Sequence, residues 1–214
     1  MSTRCLIPLL LAACSNTAPQ ASRQPPPVTQ ASTPAAATLA ASEREARSQA
    51  AVAALIGSTP PAWQAERWMN SPALELGQLR GSVVLVRWLT AGCPFCSTTA
   101  PALRAFDRAY GKRGLRVVGM YHHKEETPFD PKVYEATAKK YEFTFPIAVD
   151  PEWRTLHSWL RDAAGNPVDT GWTSVTFVLD KQGVIRHVHP GGSYVEGEPG
   201  HTELRAVIER LLAE

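Results

Sequence analysis

In Val83-Val84-Leu85-Val86-Arg87-Trp88-Leu89-Thr90-Ala91-Gly92-Cys93-Pro94-Phe95-Cys96, an apolar, β-branched run passes directly into two cysteines three residues apart. The run has the composition of a buried strand. Beyond it, Ala100, Leu103, Phe106 and Tyr110 recur at helical spacing. The thiols therefore fall where a strand ends and a helix begins. Cys93 is expected at the helix N-terminus, with Pro94 in the first turn, where its missing N–H costs nothing. The unpaired N–H groups and the positive end of the helix dipole favour a thiolate, which makes Cys93 the better nucleophile. Cys96, one turn on, is placed to close a disulfide with it.

Two other readings of a C-x-x-C pair are a zinc site and a structural disulfide. Zinc usually takes four ligands, and neither a second C-x-x-C nor an H-x-x-x-H occurs in the chain. The strand before the pair and the helix after it favour redox chemistry. Neither a metal nor a cofactor is expected.

The 214 residues suggest one domain with appendages, and 44% hydrophobic content with six Trp is ample for one core. A formal charge of +2 gives no argument for nucleic acid. Leu6 to Ala13 is an apolar run after Arg4, far below the ~20 residues of a membrane span. It ends in Leu11-Ala12-Ala13-Cys14, which resembles the lipobox of bacterial lipoproteins. That resemblance implies a signal peptide over 1–13, cleavage before Cys14 and lipidation of its thiol. It places the protein in the cell envelope, at the periplasmic face of the outer membrane if the host is Gram-negative. Cys5 is then discarded and Cys14 capped, so Cys93 and Cys96 are the only thiols left. Residues 14–42 are rich in Ala, Pro, Ser and Thr and are expected to be a disordered tether. Residues 43–62 are expected to hold a short helix and a lead-in, or further linker, and the domain is expected to span 63–214.

Within that domain, strands are expected at 83–88, 115–120, 145–150, 174–180 and 184–189. Helices are expected after Cys93, over 130–141 and 151–161, and from about His201 to Leu212. Asp180-Lys181-Gln182-Gly183 reads as a tight hairpin turn.

From about residue 68 to 212 the chain resembles the thioredoxin-fold TlpA-type disulfide reductases of the redoxin superfamily. The resemblance is carried by Leu79-Arg80-Gly81, the Val83–Trp88 strand, Cys93-Pro94-Phe95-Cys96, Pro101-Ala102-Leu103, Gly119-Met120-Tyr121-His122, and Thr176-Phe177-Val178-Leu179-Asp180 with Gly183. It implies an α/β fold, a three-layer α/β/α sandwich with a mixed central sheet. It also implies thiol–disulfide exchange, in which Cys93 attacks a substrate disulfide and Cys96 resolves the mixed disulfide. Its partners would be protein thiols and disulfides, a redox partner protein and, through Cys14, the membrane.

The chain departs from the family's pattern at the site. Ser174 stands where a cis-proline is usual, with Thr173 and Val175 beside it and the three expected alongside Cys93. Its N–H becomes a donor that a proline lacks. Arg87 stands where thioredoxins carry a buried acid, Thr99 where TlpA-type proteins often carry Glu, and Gly92 where Trp is usual. Thr90, three residues before Cys93, matches a peroxiredoxin position, which makes a Cys93 thiol peroxidase using Arg87 the alternative activity. A lipid-anchored binding module without redox activity is the alternative from another class. His122 is a candidate proton carrier for the thiols. His187 and His189 share one face of a strand, as a metal pair or, by default, as a solvated face.

Overall fold

The computed structural model describes residues 34–150, 152–162, 164–168 and 170–214. The expected signal peptide 1–13, Cys14 and the tether as far as residue 33 lie outside them. Among the described residues the sheet has six strands: β1 (Arg67–Met69), β2 (Val83–Leu89), β3 (Leu115–Tyr121), β4 (Ile147–Val149), β5 (Thr176–Leu179) and β6 (Ile185–His189). Their spatial order is β1-β4-β3-β2-β5-β6. β2, β3 and β4 run parallel, while β1 pairs antiparallel with β4 at one edge. β5 pairs antiparallel with both β2 and β6.

β2 is buried along its whole length because both its faces are covered. Val83, Leu85 and Leu89 face one core with α2 (Pro94–Tyr110), α3 (Pro131–Lys140) and α5 (Pro199–Ala213). Val84, Val86 and Trp88 face the other, with α1 (Pro34–Leu55) and α4 (Arg154–Trp159). In that second core Trp88 meets Trp159 and Phe177 edge-on, with ring centroids 5.2 and 5.4 Å apart. Gly119 in β3 leaves little room for a side chain against the first core. A Cβ there would come within 3.1 Å of Leu89 Cδ2 and 3.3 Å of Ile147 Cγ1. The β5–β6 turn is held by Asp180, whose carboxylate accepts from the N–H groups of Gln182 and Val184 and from Arg186 Nε. Asp150 fixes the start of α4, accepting from the N–H groups of Arg154 and Thr155.

The N-terminal boundary differs from the expectation. The helix expected from about residue 43 starts at Pro34, within the stretch read as tether, and runs to Leu55. The domain also begins before residue 63. Ala51 and Leu55 are buried, and residues 57 and 58 pair with the outer edge of β6: Gly57 N–H donates to Ile185 O and Ile185 N–H to Ser58 O. That pairing satisfies backbone groups on an otherwise open sheet edge. The short strand β1 was not expected either. Trp68 within it packs at 5.5 Å from Trp63, which lies against Trp159 in turn.

Candidate active site

Cys93 is the N-cap of α2, and Pro94 is its first residue, as the spacing predicts. The Cys96 N–H donates to Cys93 Sγ at 3.4 Å, and the Ser97 N–H to the Cys93 carbonyl at 3.2 Å. Cys93 is half-buried and Cys96 is 3% exposed, so Cys93 is the sulfur a substrate reaches first. It opens into a pocket of about 450 Å³ between the Thr90–Phe95 turn, Lys124, Glu125, Thr173 and Ser174. Phe95 stands at its rim, 51% exposed.

A second cleft of about 810 Å³ adjoins this pocket through Phe95, Thr173 and Ser174. Residues 170–174 and 190–192 line it, together with Arg44, Glu45, Arg47 and Ser48 of α1. No motif signalled that contribution from α1.

Ser174 is buried beside the sulfurs. Its hydroxyl lies 3.5 Å from Cys93 Sγ and 3.9 Å from Cys96 Sγ. The described backbone contains no cis peptide, so Thr173–Ser174 is trans. The Ser174 N–H is expected to serve the Cys93 thiolate or a substrate carbonyl, and the contact with Cys93 is made by the side-chain hydroxyl instead. Thr173 Oγ1 accepts from Lys124 Nζ, and the Val175 carbonyl accepts from the Trp88 N–H, tying this loop to β2.

The two thiols have opposite tendencies. Burial pushes Cys93 up, but the Ser174 hydroxyl, the Cys96 thiol and the N–H groups of Cys96 and Phe95 act against it together. The result lies below the ordinary thiol value, because each of these donors favours the charged form. Burial raises Cys96, and its contact with Cys93 adds to this; the Thr90 backbone and the Arg87 charge oppose the rise without cancelling it. One activated, reachable sulfur and one protected sulfur behind it are the arrangement that attack followed by resolution needs.

Other expected site residues fall elsewhere. His122 is fully buried, its ring edge-on to Trp153 with centroids 3.9 Å apart, and it does not line the pocket over Cys93. Burial takes its pKa down to about 3, with the Thr173 backbone pulling weakly the other way. A neutral, enclosed imidazole is a poor proton carrier at neutral pH. His187 and His189 are not on a solvated face. They are partly buried on β6 beneath α5, where His187 Nδ1 approaches Glu203 at 3.8 Å and His189 packs edge-on to Tyr194. No group of three or more metal-ligating side chains occurs among the described residues. Thr90 is buried with its hydroxyl unpartnered, and Arg87 donates to Thr176 and Gly192, so a guanidinium does not join Ser174 at Cys93 as the peroxidase reading requires.

Comparison with known proteins agrees with this geometry. The Redoxin family model matches residues 61–208. The thiol-disulfide oxidoreductase YkuV of Bacillus subtilis is 28% identical over 147 residues, covering 69% of this chain and 88% of YkuV. Protein DipZ of Mycobacterium bovis is also 28% identical, over 161 residues, but the match covers only 21% of DipZ against 73% of this chain. The crystal structure of a thioredoxin-like superfamily protein superposes with a TM-score of 0.59 at 26% identity, covering 73% of this chain and 97% of that one. The chain belongs to the redoxin family, with a thioredoxin-like fold and the cysteine pair of a thiol–disulfide oxidoreductase.

Proposed function

We propose that the protein exchanges disulfides with other proteins at the cell envelope, held to a membrane through lipidated Cys14. The observation that carries the chemistry is the half-buried Cys93 Sγ at a helix N-terminus, hydrogen-bonded by Ser174 and open to a pocket. The Cys93 thiolate attacks one sulfur of a substrate disulfide, and the other sulfur leaves as a thiolate. Cys96 then attacks Cys93 Sγ, releases the second substrate sulfur and closes the Cys93–Cys96 bond. Two electrons pass to the substrate, and a redox partner protein restores the dithiol. The same steps reversed would oxidise a substrate. An extended segment fits the clefts beside Cys93, where the backbone of Thr173 and Ser174 offers strand-like pairing, while Val175 is buried against β2.

The membrane part of this reading rests on Leu11-Ala12-Ala13-Cys14 alone. No described helix is long and apolar enough to cross a bilayer. Two measurements test the proposal. The purified domain should catalyse reduction of insulin disulfides by dithiothreitol, and Cys93→Ser should abolish it. Full catalysis by Cys93→Ser would overturn the assignment. In cells fed labelled palmitate, the wild-type chain should carry label and Cys14→Ala should not.

A further inference from the structure

Arg87 is a cation inside a hydrophobic cluster, and among the described residues no anion pairs with it. It lies on β2 between Leu85 and Leu89, whose side chains join the core that also contains Cys96. It is 1% exposed. Its Nη1 donates to Thr176 Oγ1 at 3.2 Å and its Nη2 to the Gly192 carbonyl at 2.9 Å, while Nε has no partner. The guanidinium lies over the Tyr194 ring, 5.4 Å from its centroid. All these partners are neutral, and no carboxylate pairs with Arg87 among the described residues. A guanidinium stays charged in proteins, so it cannot escape burial by losing its proton. A buried, uncompensated charge is costly, and one that is kept needs a role.

Thr176, which holds Arg87, pairs with it across β2 and β5 and sits two residues from Ser174, whose hydroxyl touches both sulfurs. Beside the two sulfurs and the guanidinium are Ser174, Tyr141, Tyr194 and His189, and Lys124 and Glu125 line the pocket into which Cys93 opens. Burial raises both tyrosines, and burial together with the Arg87 charge lowers His189 to about 4. Of these only Glu125 is a carboxylate, and it pairs with His123 Nδ1 at 3.0 Å on the Cys93 side of the site. The position one turn after Cys96 is Thr99, also fully buried, whose hydroxyl accepts from the Tyr194 N–H. Glu125 lies across the pocket over Cys93, and no carboxylate among the described residues acts on Cys96 to take its proton.

We propose that Arg87 is the counter-ion of the Cys96 thiolate in the resolving step, and that this site promotes resolution by charge instead of by a general base. Arg87 is a positioning residue in this scheme and does not touch substrate. Before resolution Cys96 releases its proton to solvent through the cleft. Its thiolate forms the Cys93–Cys96 bond as the Cys93–substrate bond breaks. The departing substrate sulfur keeps the bond's electron pair and is protonated by water. The proposal rests on the exchange activity proposed above.

The test uses 5,5′-dithiobis(2-nitrobenzoate) in stopped flow, where attack by Cys93 releases one thionitrobenzoate and attack by Cys96 releases the second. The variant Arg87→Met is expected to fold, because apolar replacement of a buried charge is often neutral or stabilising; Arg87→Gln is the second neutral variant. Loss of the charge should leave the first phase nearly unchanged, slow the second by at least about ten-fold at pH 7, and move its inflection to higher pH. Arg87→Lys should recover part of the second phase. A second phase with the wild-type rate and inflection in either folded neutral variant overturns the proposal. A wild-type protein that releases no second thionitrobenzoate overturns the exchange reading instead.

Discussion

The Ser174 hydroxyl lies 3.5 Å from Cys93 Sγ and 3.9 Å from Cys96 Sγ, bridging the attacking and resolving sulfurs. A proline at this position would supply no donor. The serine supplies a hydroxyl that can follow the negative charge as it moves from Cys93, in the free dithiol, to Cys96 during resolution.

Ser174→Ala should therefore raise the Cys93 pKa, since the lost hydrogen bond favoured the thiolate. At pH 7 its attack on a small disulfide should slow by roughly 2- to 10-fold, the range for one lost hydrogen bond. Ser174→Pro should do the same without unfolding the domain. Ultraviolet titration of the thiolate checks both variants, and an unchanged pKa in both would mean that the hydroxyl contact is energetically idle.

Acid should destabilise the fold through its buried histidines. The pKa of His122 is about 3 and that of His189 about 4 when folded, while unfolded imidazole lies near 6.5. Between those values the unfolded chain binds protons that the native state does not, so stability falls as pH drops below about 6.5. Each histidine contributes up to about 1.4 kcal/mol per pH unit, and the His122 contribution ends near its folded value. Urea midpoints at pH 7 and pH 4.5 should differ accordingly, and the difference should shrink in His122→Phe. A midpoint that is flat across this range would show that these imidazoles protonate in the native state.

Leu55→Ala should cost about 2–5 kcal/mol, the range for a fully buried leucine, because Leu55 has no exposed surface and packs in the core beneath β5 and β6. If instead the domain begins at residue 63, this substitution should leave the denaturation midpoint where it was.

That boundary shows what the sequence made legible and what it left hidden. β2, β3 and the β5–β6 hairpin were readable because long β-branched runs and a Gly turn carry their own signal. Of α1 only the part from about residue 43 was readable as a helix, since its first turns are rich in Ala and merge in composition with the linker before them. β1 is three residues long, too short for any alternation to show. The cysteine pair and the loop carrying Ser174 were found by position. The serine atom that meets the sulfur depends on backbone geometry that spacing does not encode. The alternation of His187 and His189 correctly put them on one face, but that α5 covers the face is a tertiary fact.

Phe95 offers the sharpest test of how a protein substrate is held. It is 51% exposed, belongs to the walls of both clefts, and sits between the two cysteines that do the chemistry. An exposed aromatic ring at the mouth of a reactive site has no stabilising use in the free protein, where it costs apolar hydration. Against a bound polypeptide it offers a rigid apolar surface with little entropy to lose. Phe95→Ala should therefore reduce kcat/KM for a protein disulfide by roughly 5- to 30-fold, the effect of truncating an interface anchor worth 1–2 kcal/mol. Most of that loss should appear in KM. The rate with 5,5′-dithiobis(2-nitrobenzoate), too small to span the cleft, should change little. Parallel measurements on the protein and the small disulfide decide it: an equal loss with both would place Phe95 in the tuning of Cys93, and no loss with either would remove it from substrate binding.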